Sequence, residues 1–136
     1  MKISSYFFFY TYIGLVVLAG FWGAFIYPSL DFELMFGLNL SQLQDFERIN
    51  LLSQYRFLRA LELGFGLFAL IFVREVFSDF KFNRLFLTIM GLGILARMFS
   101  WIFDGKPSYL TMFFMFYELI GWIVIFTFSI AKIKRQ

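Results

Sequence analysis

Cysteine and histidine occur nowhere in the chain. Their absence removes disulfides, a thiol nucleophile, zinc clusters, histidine-ligated haem and any Ser-His-Asp triad. Acid–base chemistry is left to Asp, Glu, Lys, Arg and Tyr. Charge is scarce: charged residues make up 15% of the 136 residues, against about 25% in soluble domains. There are only two prolines. No low-complexity linker, solenoid repeat, nucleic-acid motif or metal-ligand spacing is present, so no nucleic acid, metal or cofactor is expected.

What fills the sequence instead is apolar. Hydrophobic residues reach 61%, and phenylalanine alone occurs 23 times. A soluble domain this small buries only part of its surface and could not hide so much. A bilayer removes the difficulty by acting as the apolar solvent. The reading is one domain, integral to a membrane.

A spanning helix needs about 20 mainly apolar residues. Four segments qualify, at 6–27, 51–73, 84–103 and 109–130. The first has no charge, is too long for a signal h-region and lacks a convincing cleavage site, so it reads as a mature helix. Its Ala19/Gly23 and Gly20/Ala24 pairs permit close helix contact. Residues 28–50 form a polar connection opened by Pro28, in which Asp31-Phe32-Glu33-Leu34 alternates like a short strand or an interfacial lid. Ser41-Gln42-Leu43-Gln44 has capping-box spacing and predicts a helix start. Asp104-Gly105-Lys106-Pro107-Ser108 is a tight turn, because proline cannot easily continue a helix. The expected fold is all-α: a membrane-embedded four-helix bundle.

Loop charges orient it. With four spans, the termini and the 74–84 connection share one side, carrying Lys2, Arg74, Lys81, Arg84, Lys132, Lys134 and Arg135. The other side has only Arg48 and Lys106 as cations. The positive-inside rule places both termini in the cytoplasm. Tyr6, Tyr10, Tyr12, Tyr27, Trp22 and Trp101 read mainly as aromatic belts.

Five ionisable residues lie inside the spans: Arg56, Arg59, Glu62, Arg97 and Glu118. Each costs at least about 2.5–3.5 kcal/mol at a helix centre. At about 1.5 Å per residue, counted from the outer surface, Arg56 lies ~7 Å deep, Arg59 ~12 Å, Glu62 ~16 Å, Arg97 ~9 Å and Glu118 ~13 Å. Three helices thus carry charge to one layer in the outer half of the bilayer. Tyr55, Arg59, Glu62, Gly66 and Ala69 form one stripe; Met90, Gly93, Arg97, Ser100 or Trp101, and Asp104 form another. Such stripes face a bundle interior or a wet cavity. The simplest pairing joins Arg59 and Arg97 to Glu62 and Glu118, with Arg56 and Asp104 nearer the mouth.

Two readings of these charges stand open. One is a closed ion-pair network that fixes helix register. The other is a polar pocket, since pure stability is a weak reason to keep buried ion pairs. There Arg56, Arg59, Glu62, Arg97, Ser100, Trp101, Asp104 and Tyr117 would hold an amphiphile with an anionic or oxygen-rich head. A lipid, quinone or isoprenoid-like molecule suits apolar walls with a few polar groups. If a reaction takes place, Glu118 is the acid or base and Arg59 and Arg97 the electrostatic clamp. A different class of function is an accessory subunit that docks its Phe7–Phe9 and Phe113–Phe114 clusters on a larger membrane complex, or a homo-oligomer. An ion carrier is less favoured, because four short helices leave little room for two gates.

The stretch Tyr55-Arg56-Phe57-Leu58-Arg59-Ala60-Leu61-Glu62-Leu63-Gly64-Phe65-Gly66-Leu67, then Arg97-Met98-Phe99-Ser100-Trp101-Ile102-Phe103-Asp104-Gly105-Lys106-Pro107 and Glu118-Leu119, resembles a bacterial family. It is the domain-of-unknown-function family 4345 of small four-helix membrane proteins, loosely similar to DoxX-type proteins. Arg59, Arg97, Ser100, Asp104 and Glu118 match the family pattern. The chain departs from it at Leu61-Glu62, where the pattern has paired glycine. The resemblance implies a bacterial inner-membrane protein and supplies no reaction.

Overall fold

The computed structural model describes residues 2–133 and the side chains of residues 3–129. Lys134 and Arg135, part of the basic tail that orients the chain, lie outside the described residues, as do the side chains of Lys2 and Lys132. Among the described residues the chain is all-helical, with six α-helices. They are α1 (Lys2–Phe21), α2 (Pro28–Phe36), α3 (Asp45–Ile71), α4 (Val73–Ser78), α5 (Phe80–Phe103) and α6 (Tyr109–Ile133). Three segments are long and apolar enough to cross a membrane: Ile3–Ile26, Phe80–Phe103 and Tyr109–Ser129. Each buries less than a third of its length within the chain, the largest share being 28%. Leu18, Leu92, Phe99 and Ile102 are among the exposed apolar side chains. Apolar surface on that scale suits lipid and not water.

The expected four-helix bundle is therefore met only in part. Helix α3 is the longest at 27 residues, but Arg56, Arg59 and Glu62 interrupt its apolar run. It is not among the three segments apolar enough by composition. Two shorter helices, α2 and α4, occupy stretches read from sequence as connections.

The chain divides into two compact units, Met1–Ile13 with Ala69–Gln136, and Gly14–Phe68. In the first, the core is aromatic. Phe9 packs edge-on against Phe77 at 5.4 Å and tilted against Phe86 at 5.3 Å. The half-buried Tyr6 packs its ring 4.3 Å from that of Phe77. The helices are pinned by polar bonds inside the apolar packing. Ser5 donates to the Val124 carbonyl at 3.2 Å. Asn83 donates to the Val76 carbonyl at 2.8 Å, and the Trp122 indole to the Leu87 carbonyl at 2.8 Å. Side chains that would otherwise leave a donor dry in hydrocarbon are thereby satisfied. Helix α5 starts four residues before the expected position, because Asp79 caps it by accepting from the Lys81 and Phe82 amides. The Asp104–Pro107 turn is as expected, with Gly105 at φ 111.

In the second unit, α1 gives way to a π-helical turn over Trp22–Ile26. Pro28 follows at the first position of α2 and brings no N–H. The Ala24 carbonyl, which would accept from residue 28 in a continuing helix, instead accepts from Arg56. Helix α2 replaces the strand considered for Asp31–Leu34. Proline opens it, and Gly37 closes it in the left-handed region at φ 62, its N–H donating to the Glu33 carbonyl and that of Leu38 to Phe32. The Ser41 capping-box spacing yields only a 3₁₀ turn at Leu40–Gln42, with Asn39 accepting from the Ser41 amide. Helix α3 begins at Asp45, beyond that box.

Candidate functional site

Within the second unit, three elements converge on Arg59. Its Nε donates to the Tyr55 hydroxyl at 2.8 Å, its Nη1 to Glu62 at 2.7 Å and its Nη2 to Asp31 at 3.3 Å. Tyr55 in turn donates to the same Asp31 oxygen at 2.7 Å. The guanidinium lies 5.0 Å from the Tyr55 ring centre. Every nitrogen of this arginine is engaged. Space for it comes from Gly23: a Cβ there would lie 2.8 Å from Arg59 Cγ and 2.9 Å from Asp31 Oδ2. The carboxylate of α2 is thus tied to the middle of α3, with the end of α1 passing close beside.

Within the first unit, Arg97 of α5 faces Glu118 of α6 at 3.4 Å. The pairing expected from sequence, Arg59 with Glu62 and Arg97 with Glu118, is therefore present. Arg97 differs from Arg59 in one respect. Its Nη1 is buried and finds no hydrogen-bond partner among the described residues. Tyr117, next to Glu118, shares a hydrogen bond with Thr11 of α1.

Other expectations need correction. No charged side chain among the described residues is fully buried. Side-chain exposure runs from 13% for Arg59 and 14% for Glu118 to 35% for Arg97 and 45% for Glu62. Partial exposure spares these groups the full desolvation cost of a buried ion pair. Arg56 makes no ion pair among the described residues and serves the Ala24 carbonyl instead. The stripe drawn along the third span also fails toward its end. Asn83, Phe86, Leu87, Met90 and Ile94 are the buried positions of α5, and Arg97 follows them half-buried. Ser100, Trp101 and Asp104 are exposed. On a helix of about 100° per residue Trp101 and Asp104 stay within about 40° of Met90, so their exposure follows from burial ending at Ile94, the last buried position of α5. Asp104, expected to offset an arginine, forms no ion pair among the described residues.

Asp31, in the polar connection 28–50, is the long-range partner of Arg59. Pro28 and Gly37 bracket it with helix start and stop signals, but no local pattern announces a contact 28 residues along the chain. No group of acidic residues among the described residues has the arrangement of a metal site.

No curated protein and no solved structure matches the chain. One family model does, over residues 1–129, and it is described as a domain of unknown function, DUF4345. Spanning all six helices but for the last residues of α6, that match means that the chain belongs to the DUF4345 family.

Proposed function

We propose that this chain is a bacterial inner-membrane protein in which α1, α3, α5 and α6 cross the bilayer with both termini in the cytoplasm. Arg97 and Glu118 bind the head of a small amphiphile of lipid, quinone or isoprenoid type. The observation that carries the reading is the unpartnered Nη1 of Arg97. A dry donor costs about 1–3 kcal/mol, more when it belongs to a charged group. A carboxylate, phosphate or carbonyl oxygen of a ligand would relieve that cost, and arginine's planar fork suits such oxygens. Glu118, opposite at 3.4 Å, can accept from a ligand hydroxyl or hold a proton. Arg59 has no free nitrogen to offer, so its role is to tie α2 to the middle of α3. At ~1.5 Å per residue α3 is about 40 Å long, enough to span a ~30 Å core with Asp45–Arg48 at the surface.

The test is extraction of small molecules from protein purified in native lipid discs, followed by mass spectrometry. A stoichiometric amphiphile should accompany the wild type and be lost from Arg97→Gln and Glu118→Gln, both still inserted. Retention in both variants contradicts the proposal. So does a stoichiometric protein partner with no small molecule, which would favour the accessory-subunit role.

A further inference from the structure

A groove away from Arg97 runs along α5 and α6. It has a volume of about 380 Å³ and is lined by Arg84, Leu87, Gly91, Leu95, Trp122 and Phe126 among others. Its walls are mostly carbon, with Asn83 and Thr88 as neutral polar members, and its one cation is the exposed Arg84, 5.8 Å from the Phe80 ring. Gly91 makes the floor: a Cβ there would lie 3.3 Å from the Trp122 indole nitrogen. The indole donates to the Leu87 carbonyl, which turns its apolar face toward the groove.

We propose that this groove seats one acyl chain of an anionic phospholipid, with the headgroup phosphate on Arg84. From Arg84 to Leu95 the helix rises ~16 Å, about half of a ~30 Å hydrocarbon core. The groove is therefore as long as one leaflet is deep, and its only cation stands at the surface end. Charge there favours an anion. Arg84 makes no ion pair among the described residues, and Arg74 and Lys81 lie exposed on the same connection. Asp79 Oδ1 accepts from the Lys81 and Phe82 amides, and with Glu75 as the other acid on that stretch the three cations Arg74, Lys81 and Arg84 face two carboxylates. The site is distinct from Arg97, so it stands or falls separately from the amphiphile proposed there.

Trp122 reports occupancy directly. With Trp22 and Trp101 replaced by phenylalanine, Trp122 is the remaining indole. The protein would be reconstituted in phosphatidylcholine bilayers containing brominated phosphatidylglycerol or brominated phosphatidylcholine. Brominated phosphatidylglycerol should quench at about fivefold lower mole fraction, the size of one surface arginine's attraction to an anion. Arg84→Gln should abolish that preference, whereas Arg84→Lys and Lys81→Gln should keep it. Gly91→Val, which fills the floor, should weaken quenching by both lipids. Equal quenching by the two lipids in the parent protein overturns the proposal, as does a preference that survives Arg84→Gln. Quenching by neither lipid also overturns it, and would mean that a protein segment covers the groove.

Discussion

Replacing Gly20 by alanine tests the approach of α1 to α3 within the Gly14–Phe68 unit. A Cβ at Gly20 would lie 2.8 Å from the Leu63 amide nitrogen and 2.9 Å from the Arg59 carbonyl oxygen. Both are backbone atoms of α3, so no side chain can swing aside and the helices must part. Overpacking of this kind costs about 1–3 kcal/mol. Alanine returns up to ~1 kcal/mol through its helix propensity, which leaves a net loss of up to about 2 kcal/mol. Gly64 is the internal control, because nothing lies within 4 Å of a Cβ there. Gly64→Ala should therefore be neutral or stabilising by up to ~1 kcal/mol. The two alanines are chemically the same change, and the structure gives them opposite signs. Titration with a denaturing detergent from mild micelles, followed by tryptophan fluorescence, measures the difference. Equal stability of the two variants would refute the close approach of α1 and α3.

Asp31→Asn removes the charge shared by Arg59 and Tyr55, and should cost about 1–3 kcal/mol and open the 37–44 segment to protease; an unchanged digestion rate speaks against the tie between α2 and α3. Thr11→Val and Tyr117→Phe form a double-mutant cycle across α1 and α6. Their coupling should be about 0.6 kcal/mol, the average for membrane side-chain hydrogen bonds, and a coupling of zero in the same titration removes the bond. Because the chain has no cysteine, single cysteines report topology against a silent background. Ser78→Cys should react with an impermeant maleimide only after the membrane is opened, and Ser108→Cys in intact cells. The reverse pattern inverts the proposed orientation.

Sequence made the long apolar helices legible because their solvent is lipid, and length with composition suffices to find them. The Asp104–Pro107 turn was equally plain, since Gly105 and Pro107 fix it locally. Helix α2 was legible in principle: Pro28 and Gly37 are its start and stop, yet the alternation at Asp31–Leu34 suggested a strand. The break at Phe72, with φ −100 and ψ 26, has neither glycine nor proline to mark it. Of the charged residues, spacing along α3 made the Arg59–Glu62 pair readable, and matching depth did so for Arg97–Glu118. The contact of Arg59 with Asp31 depends on how α2 folds back, which no periodicity encodes. Ser100, Trp101 and Asp104 continue beyond Ile94, the last buried position of α5, and no periodicity marks where the covering of a helix ends.

The most direct measurement is an experimental density map of the protein in native lipid discs, read at Arg97. Ligand binding at Arg97 requires non-protein density beside α5 and α6, with an atom at a hydrogen-bonding distance of about 2.7–3.2 Å from Arg97 Nη1. A map in which Nη1 is bonded to Glu118 or to a backbone carbonyl, with no further density there, would contradict it.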